Sequence, residues 1–321
     1  MKFRYSLFLC LWCFVSLLPM RLHYFFADVL IFPFVFHVLK YRRRLVRQNL
    51  ALCFPERSEE ERARIERDFY RWFADYIVET IKEMSMSRKE MMRRITFEGI
   101  EEAEAEMERE GRSFAFLYLG HFCNWEWVAS LPYWSRTDTV FGQIYHPLHS
   151  EIIDRLFLRM RGRFGALNIP MKDTLRTIMS LKREGKKAMI GFISDQSPKW
   201  EAMHFWTTFL RRETSFFTGA EKIGRKVGAS FYYADITRPR RGHYHCVVRR
   251  LEVDENGGRH AVTEAYVRAM ERSICASPHL WLWTHNRWKR TREDWERFME
   301  AHAPGRMRGG RKKSRATASK P

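Results

Sequence analysis

Acidic side chains are scarce in this chain. Only 38 Asp and Glu face 57 Lys and Arg across 321 residues, leaving a formal charge of +19. That balance favours anionic partners: nucleic acid, acidic lipid, a phosphorylated substrate or an acidic protein. Cysteine is sparse too, with six residues at positions 10, 13, 53, 123, 246 and 275. No second Cys-x-x-Cys completes a zinc site with Cys10 and Cys13, which lie inside an apolar segment. The thiols therefore read as reduced and mostly buried, in a chain facing a reducing compartment. A signal-peptide cleavage site is missing: "LPMRLHYF" offers no small-residue site after the first apolar run. Internal repeats and nucleic-acid-binding motifs are missing as well.

What is present begins with two apolar runs, Ser6–Met20 and Tyr24–Leu39. Each is shorter than the ~20 residues of a comfortable membrane span. The expectation is an N-terminal membrane helix tilted through the bilayer, or a helical hairpin sunk into one leaflet. "KYRRRLVR" (Lys40–Arg47) follows at once, and its charge marks the cytoplasmic side. At the other end, "GRMRGGRKKSRATASKP" carries seven basic residues and no apolar period, which reads as a disordered extension. The expected organisation is a membrane anchor with its basic flank over 1–47, a catalytic domain over 48–304 and a basic tail over 305–321.

Ser58 and Glu61 form a capping box, and Ile65, Phe69, Trp72, Phe73, Tyr76, Ile77 and Ile81 follow at helical spacing. A second helical stretch runs from Ile100 to Glu110. Beyond it the texture becomes short apolar runs alternating with helical patterns. Strands are expected at Ser113–Leu119, Thr139–Tyr145, Ala188–Ser194, Ala229–Thr237 and His243–Val253. Helices are expected over "DTLRTIMSLKREG" (stopped by Gly185), Thr218–Lys226 and Ala261–Cys275, with a turn at "DENGG". The pattern argues an α/β fold, a mixed, mainly parallel sheet flanked by helices.

The densest chemistry is "LGHFCNWEW" (Leu119–Trp127), directly after the first strand. A strand, a glycine and a helix beginning near Phe122 would leave free backbone N–H groups for negative charge. His121 and Glu126 are five residues apart, which inside one helix separates them by about 140°. They meet only if His121 sits in the turn before the helix. Glu126 would then accept one imidazole N–H while the other nitrogen takes a proton from a hydroxyl. Cys123 is a rival nucleophile for a covalent route. A zinc helix would need an i, i+4 histidine pair, which is not there. Thr207, Thr208 and Thr218 could contact phosphate or simply cap elements. "WLWTHNRWKR" suits either a membrane-interface belt or core packing.

"GHFCNWE" resembles the His-x4-Glu/Asp motif of the bacterial late lipid A acyltransferases, within the glycerolipid acyltransferase superfamily. Further blocks agree in order: "NLALCFPE", "YHPLHSEIIDRLFLRMRGRFG", "FISDQSP", "FWTTFLRRETSFFTGAEKIGRK" and "PHLWLWTHNRWK". The resemblance implies a glycerol-3-phosphate acyltransferase-like fold and transfer of a fatty acyl chain from acyl carrier protein to a hydroxyl of a lipid A precursor. It implies His121 as general base and Glu126 as its orienter. Arg161, Asp195 and Gln196 would be substrate-binding or oxyanion residues, with Arg159 and Arg163 close rivals to Arg161. No metal or cofactor is expected, because the acyl thioester is already activated. The expected partners are acyl carrier protein and the bacterial inner membrane, with the catalytic domain facing the cytoplasm and no nucleic acid. One departure stands out: the family's arginine between tyrosine and proline is His146 here. That leaves a lysophospholipid or aminolipid acceptor open. An alternative of a different class is a membrane-tethered basic binding protein.

Overall fold

The capping box at Ser58 forms in a computed structural model that describes residues 2–254 and 256–302. Ser58 Oγ accepts the Glu61 N–H at 3.2 Å, and Glu61 Oε2 accepts the Ser58 N–H at 2.7 Å. Glu255 of the "DENGG" turn and the basic tail 305–321 lie outside the described residues. In chain order the helices are α1 (Lys2–Ser16), α2 (Met20–Phe26), α3 (Arg43–Cys53), α4 (Glu59–Glu83), α5 (Arg88–Arg94) and α6 (Ile100–Arg109). After them come α7 (Glu151–Gly162), α8 (Thr174–Arg183), α9 (Gly219–Val227), α10 (Ala261–Ala276) and α11 (Arg292–His302). The strands are β1 (Ile95–Glu98), β2 (Phe114–Leu119), β3 (Val140–Tyr145), β4 (Leu167–Pro170), β5 (Ala188–Ile193), β6 (Trp206–Phe209), β7 (Arg212–Ser215), β8 (Ser230–Arg240) and β9 (His243–Arg250).

Seven strands form one sheet in the order β1-β9-β8-β2-β5-β3-β4. Only the β8–β9 hairpin is antiparallel there; every other pairing is parallel. Strand β2 is buried along its whole length, as a central parallel strand covered on both faces must be. The covering can be read from alternation along β8. Phe231 packs on Gly224 of α9, Tyr232 donates its hydroxyl to Glu106 of α6 at 2.7 Å, and Tyr233 donates to Ser273 of α10 at 2.9 Å. Neighbouring strand residues point to opposite faces, so α9 and α10 lie on one side and α6 on the other. The fold is therefore the α/β arrangement that the alternating pattern predicts.

Strands β1, β4, β6 and β7 are not legible in the sequence, and neither are helices α3, α5, α7 and α11. Strands β1 and β4 have four residues each, and β4 ends in proline. The β6–β7 hairpin turns through Leu210 and Arg211, both left-handed (φ 50° and 64°), without the glycine or asparagine that usually signals such a turn.

At the N-terminus, α1 and a second helical stretch over Met20–Val38 join through Leu17–Pro19. The second stretch is 19 residues long and passes through two π-turns around Pro33, whose missing N–H accommodates them. By length and composition it is the one described helix able to cross a membrane. Lys82 Nζ donates to the carbonyls of Ser16 and Leu18 (3.0 and 3.2 Å), and Trp12 Nε1 donates to Ile81 O at 3.0 Å. The turn is thus fastened to the C-terminal end of α4. Outward-facing Phe14, Leu17, Phe25, Val29, Leu30 and Val38 leave an apolar surface uncovered. The division expected at residue 47 falls inside α3, where Arg43 and Arg47 grip the two oxygens of buried Glu66 on α4 at 2.8 and 2.9 Å.

Candidate active site

Strands β2 and β5 are parallel neighbours, and Leu119 is registered with Ile193 at their carboxyl ends. Two residues beyond each lie His121 and Asp195. The crevice outside strand carboxyl ends is where open α/β sheets bind ligands. Gly120 lets the two loops close. A Cβ there would come within 2.4 Å of Met270 Cε and 3.4 Å of the Asp195 carboxyl carbon.

Asp195 holds His121 twice: Oδ2 accepts its backbone N–H at 3.0 Å, and Oδ1 lies 2.7 Å from Nδ1. Trp281 Nε1 gives Oδ2 a further bond at 2.8 Å. Burial alone would raise this carboxyl, which is 2 % exposed, but the imidazole and the three donors hold it down at about 2. An ionised carboxylate only accepts, so Nδ1 carries the proton and Nε2 keeps its lone pair as an acceptor. The Gln196 amide nitrogen faces that lone pair at 3.2 Å. The ring packs edge-on against Trp125, with centroids 5.0 Å apart.

Two expectations for this loop need correcting. No helix begins near Phe122. Phe122 instead forms a β-bridge with Trp281, the Cys123 N–H donates to Leu280 O at 2.9 Å, and Leu282 N–H donates to His121 O at 3.0 Å. Cys123 turns the chain with φ 52°, and regular structure resumes only as a 3-10 helix over Trp127–Trp134. The N–H groups of residues 121–123 are already bonded, so they offer no helix-terminal anion site. The second correction is that the carboxylate on the imidazole is Asp195. Glu126, displaced by the left-handed turn, gives both oxygens to Arg161, at 2.7 Å from Nε and 2.6 Å from Nη2. It also accepts from Trp125 Nε1 at 3.1 Å. Burial opposes its charge, yet the guanidinium keeps Glu126 below the ordinary carboxylate range.

Among the three clustered arginines, Arg161 is therefore the one at the site. Arg163 instead donates to Glu83 O at 2.6 Å and Met86 O at 3.3 Å. Cys123 is fully buried with its thiol on Ile236 O, and burial pushes it well above its usual value. His146 is exposed and bonds to Pro147 O. Trp281 and Trp283 are core residues, not an interface belt. Thr207 donates to Glu264, while the Thr218 side chain makes no cap bond. No group of three or more His, Cys, Asp or Glu among the described residues is arranged to hold a metal.

Sequence reasoning missed His285, Arg287 and Glu83. His285 Nε2 accepts the Ser197 N–H at 3.3 Å, and burial lowers it to about 4, so it stays neutral. Arg287 is buried against Phe216, and desolvation brings it down to about 10. The first lies next to Asp195's loop in "THNR", but no spacing rule links residue 285 to residue 197. Glu83 is fully buried, and neither carboxyl oxygen has a partner. Burial, reinforced by Glu126, lifts it well above the ordinary range. A carboxyl raised on folding loses stability as pH climbs from its unfolded value toward its folded one. Glu83→Gln removes that loss. It is expected to stabilise the protein by about 1 kcal/mol or more at neutral pH, with the gain fading as pH falls to about 4. Thermal unfolding of both proteins across that range measures it.

The chain matches the family described as bacterial lipid A biosynthesis acyltransferase over residues 2–290. It is 24 % identical over 259 residues to the lipid A biosynthesis palmitoleoyltransferase of Escherichia coli (strain K12), covering 78 % of this chain and 80 % of that protein. The lipid A biosynthesis acyltransferase of Shigella flexneri matches with the same identity and coverage. With the family spanning the paired strand ends, the Arg161–Glu126 pair and the aromatic segment around Trp281, the chain belongs to the bacterial lipid A biosynthesis acyltransferases.

Proposed function

We propose that the chain is a membrane-associated O-acyltransferase, moving a fatty acyl chain from acyl carrier protein to a hydroxyl of a lipid A precursor, with His121 as general base. The observation that carries the reading is the unprotonated Nε2 of His121, with its tautomer set from behind by Asp195. In this mechanism Nε2 takes the proton of the acceptor hydroxyl, and the oxygen attacks the thioester carbonyl. The imidazolium is stabilised by Asp195 and returns the proton to the departing thiolate as the C–S bond breaks. The Gln196 amide, which faces Nε2 at 3.2 Å, turns to the developing oxyanion once the imidazole takes up the proton. Arg161, tied to Glu126, acts by positioning. A thioester donor requires no metal or cofactor for this step.

Membrane association is supported by the uncovered apolar surface of the Met20–Val38 stretch, and the basic segment after it favours the cytoplasmic face of the inner membrane. The basic body suits an acidic carrier protein and a phosphorylated acceptor. The test is an acyl-transfer assay with purified lipid A precursor, comparing acyl carrier protein and coenzyme A thioesters, read by mass spectrometry of the lipid. The expected product is one acyl chain heavier, formed from the carrier-protein thioester, with Cys123→Ser as active as the wild type. Turnover only on a lysophospholipid would move the acceptor, and an acyl group trapped on Cys123 would replace the general-base route.

A further inference from the structure

Away from His121, four arginines converge on a cavity of about 330 Å³ between α4, the Met20–Val38 stretch and the β8–β9 hairpin: Arg71, Arg238, Arg240 and Arg241. Two carboxylates share the cavity. Asp75 accepts from Arg238 at 2.5 Å and from Arg241 Nε at 2.9 Å, and Asp28 accepts from Arg241 at 2.7 and 2.8 Å. Both acids are thereby committed to Arg238 and Arg241. Arg240 has no carboxylate partner among the described residues, and Arg71 reaches only the exposed Asp68 at 3.4 Å. Two positive charges are left over in a concave space. His279, in the wall, is held below its usual value by burial, so its ring adds no fixed charge.

The position of this cavity narrows the ligand. Asp28 belongs to the apolar stretch, whose Phe25, Val29 and Leu30 are exposed beside it. Arg241 lies over Tyr24 and Arg71 over Phe32, so the guanidinium groups border the apolar surface. A small anion attached to an apolar body matches this juxtaposition. An acidic protein surface would meet Asp28 and Asp75 along with the arginines, and a broad face could not enter the cavity.

We propose that this cavity is a binding site for the phosphomonoester headgroup of a membrane lipid, held by Arg71 and Arg240 while the lipid's chains lie against the Met20–Val38 stretch. The site rests on the proposed membrane face, but not on acyl transfer. A phosphomonoester presents three terminal oxygens to a cluster of forked donors, which a diester cannot do.

The experiment uses full-length protein and vesicles of phosphatidylcholine doped with phosphatidic acid or, at matched surface charge, with phosphatidylglycerol. Arg71→Gln/Arg240→Gln removes the two uncommitted charges, and Lys172→Gln/Arg176→Gln removes two exposed charges elsewhere. The wild type and the control pair should prefer phosphatidic acid. Each charge-assisted hydrogen bond lost from the phosphomonoester costs about tenfold or more, so the test pair should bind those vesicles about a hundredfold more weakly. It should keep its binding to phosphatidylglycerol within a few-fold of the control pair, and inorganic phosphate should compete for the preference in the wild type. Equal behaviour of the two pairs would overturn the site. Loss of binding to acyl carrier protein with lipid preference intact would make the cavity a protein-docking surface instead. If inorganic phosphate binds the wild type but the vesicle preference ignores the test pair, the ligand is free phosphate and the lipid proposal falls. Because binding is read without turnover, failure of the acyl-transfer assay leaves this result standing.

Discussion

His121→Ala is expected to slow acyl transfer by about 10³-fold while the protein stays folded, because the proposed general base is lost from a partly exposed side chain. Asp195→Asn is expected to cost a similar factor, about 10² to 10⁴, for a different reason. The carboxylate accepts three protein N–H donors, and an amide supplies a single acceptor oxygen. With Nδ1 no longer required to carry the proton, the imidazole can adopt the tautomer that points its N–H at the substrate. The double variant should be about as slow as the slower single one, since the two residues act as a unit. Stability separates them. Asp195 is held down at about 2, so its contribution to folding is present above about pH 4 and is lost as pH falls toward 2. Asp195→Asn should therefore unfold more easily than wild type at neutral pH, and the difference should shrink in acid, whereas His121→Ala keeps the carboxylate's other two bonds. Single-turnover rates together with thermal unfolding at several pH values distinguish the two. Wild-type rates for Asp195→Asn would return the orienting role to another residue.

The sequence made the sheet legible and left half of the site hidden. Strands β2, β3, β5, β8 and β9 are legible because each is an apolar run between turn signals, with no end shifted by more than three residues. The pairing of Glu126 with His121 rests on local spacing, which assumes a helix from Phe122, and on the resemblance to the His-x4-Glu motif. What decided the matter was distant. Residues 280–282 bond to the backbone of 121–123, and Trp281 supports Asp195. Seventy-four residues separate His121 from the carboxylate it meets, and only the parallel register of β2 with β5 brings them level. Local pattern reports burial and turns; it carries no information about which strand end faces which. The family blocks did mark Asp195 and Arg161, but not whom they would hold.

Breaking the Arg161–Glu126 pair from either side should destabilise the protein by about 3–5 kcal/mol, because each variant strands a charge in the interior. Arg161→Met is the more severe. Glu126 is 4 % exposed and would be left beside Glu83, which is already deprived of partners. Two neighbouring buried carboxyls cannot both ionise, and without the guanidinium desolvation lifts Glu126 above its unfolded value. The sign follows: Arg161→Met loses stability as pH rises through the carboxylate range and is least impaired in acid. Glu126→Gln strands Arg161, which is 20 % exposed and can reach water, so its cost is smaller, and it shrinks in acid, where the wild type loses the contribution of the depressed Glu126 carboxylate. The combined Arg161→Met/Glu126→Gln variant should recover most of the stability, since replacing a buried pair by neutral groups is often close to neutral. Activity should not return with it. Glu126 fixes Trp125 through the indole N–H, Tyr76 stacks on that ring at 4.2 Å, and His121 leans on its face. A shifted Trp125 lets the imidazole drift from the line between acceptor and thioester, and an error near 1 Å costs about 10²-fold. The deficit should fall on kcat rather than KM, as expected of a positioning defect. A double variant with wild-type kcat would confine the pair to stability and leave Trp125 held by its aromatic neighbours alone.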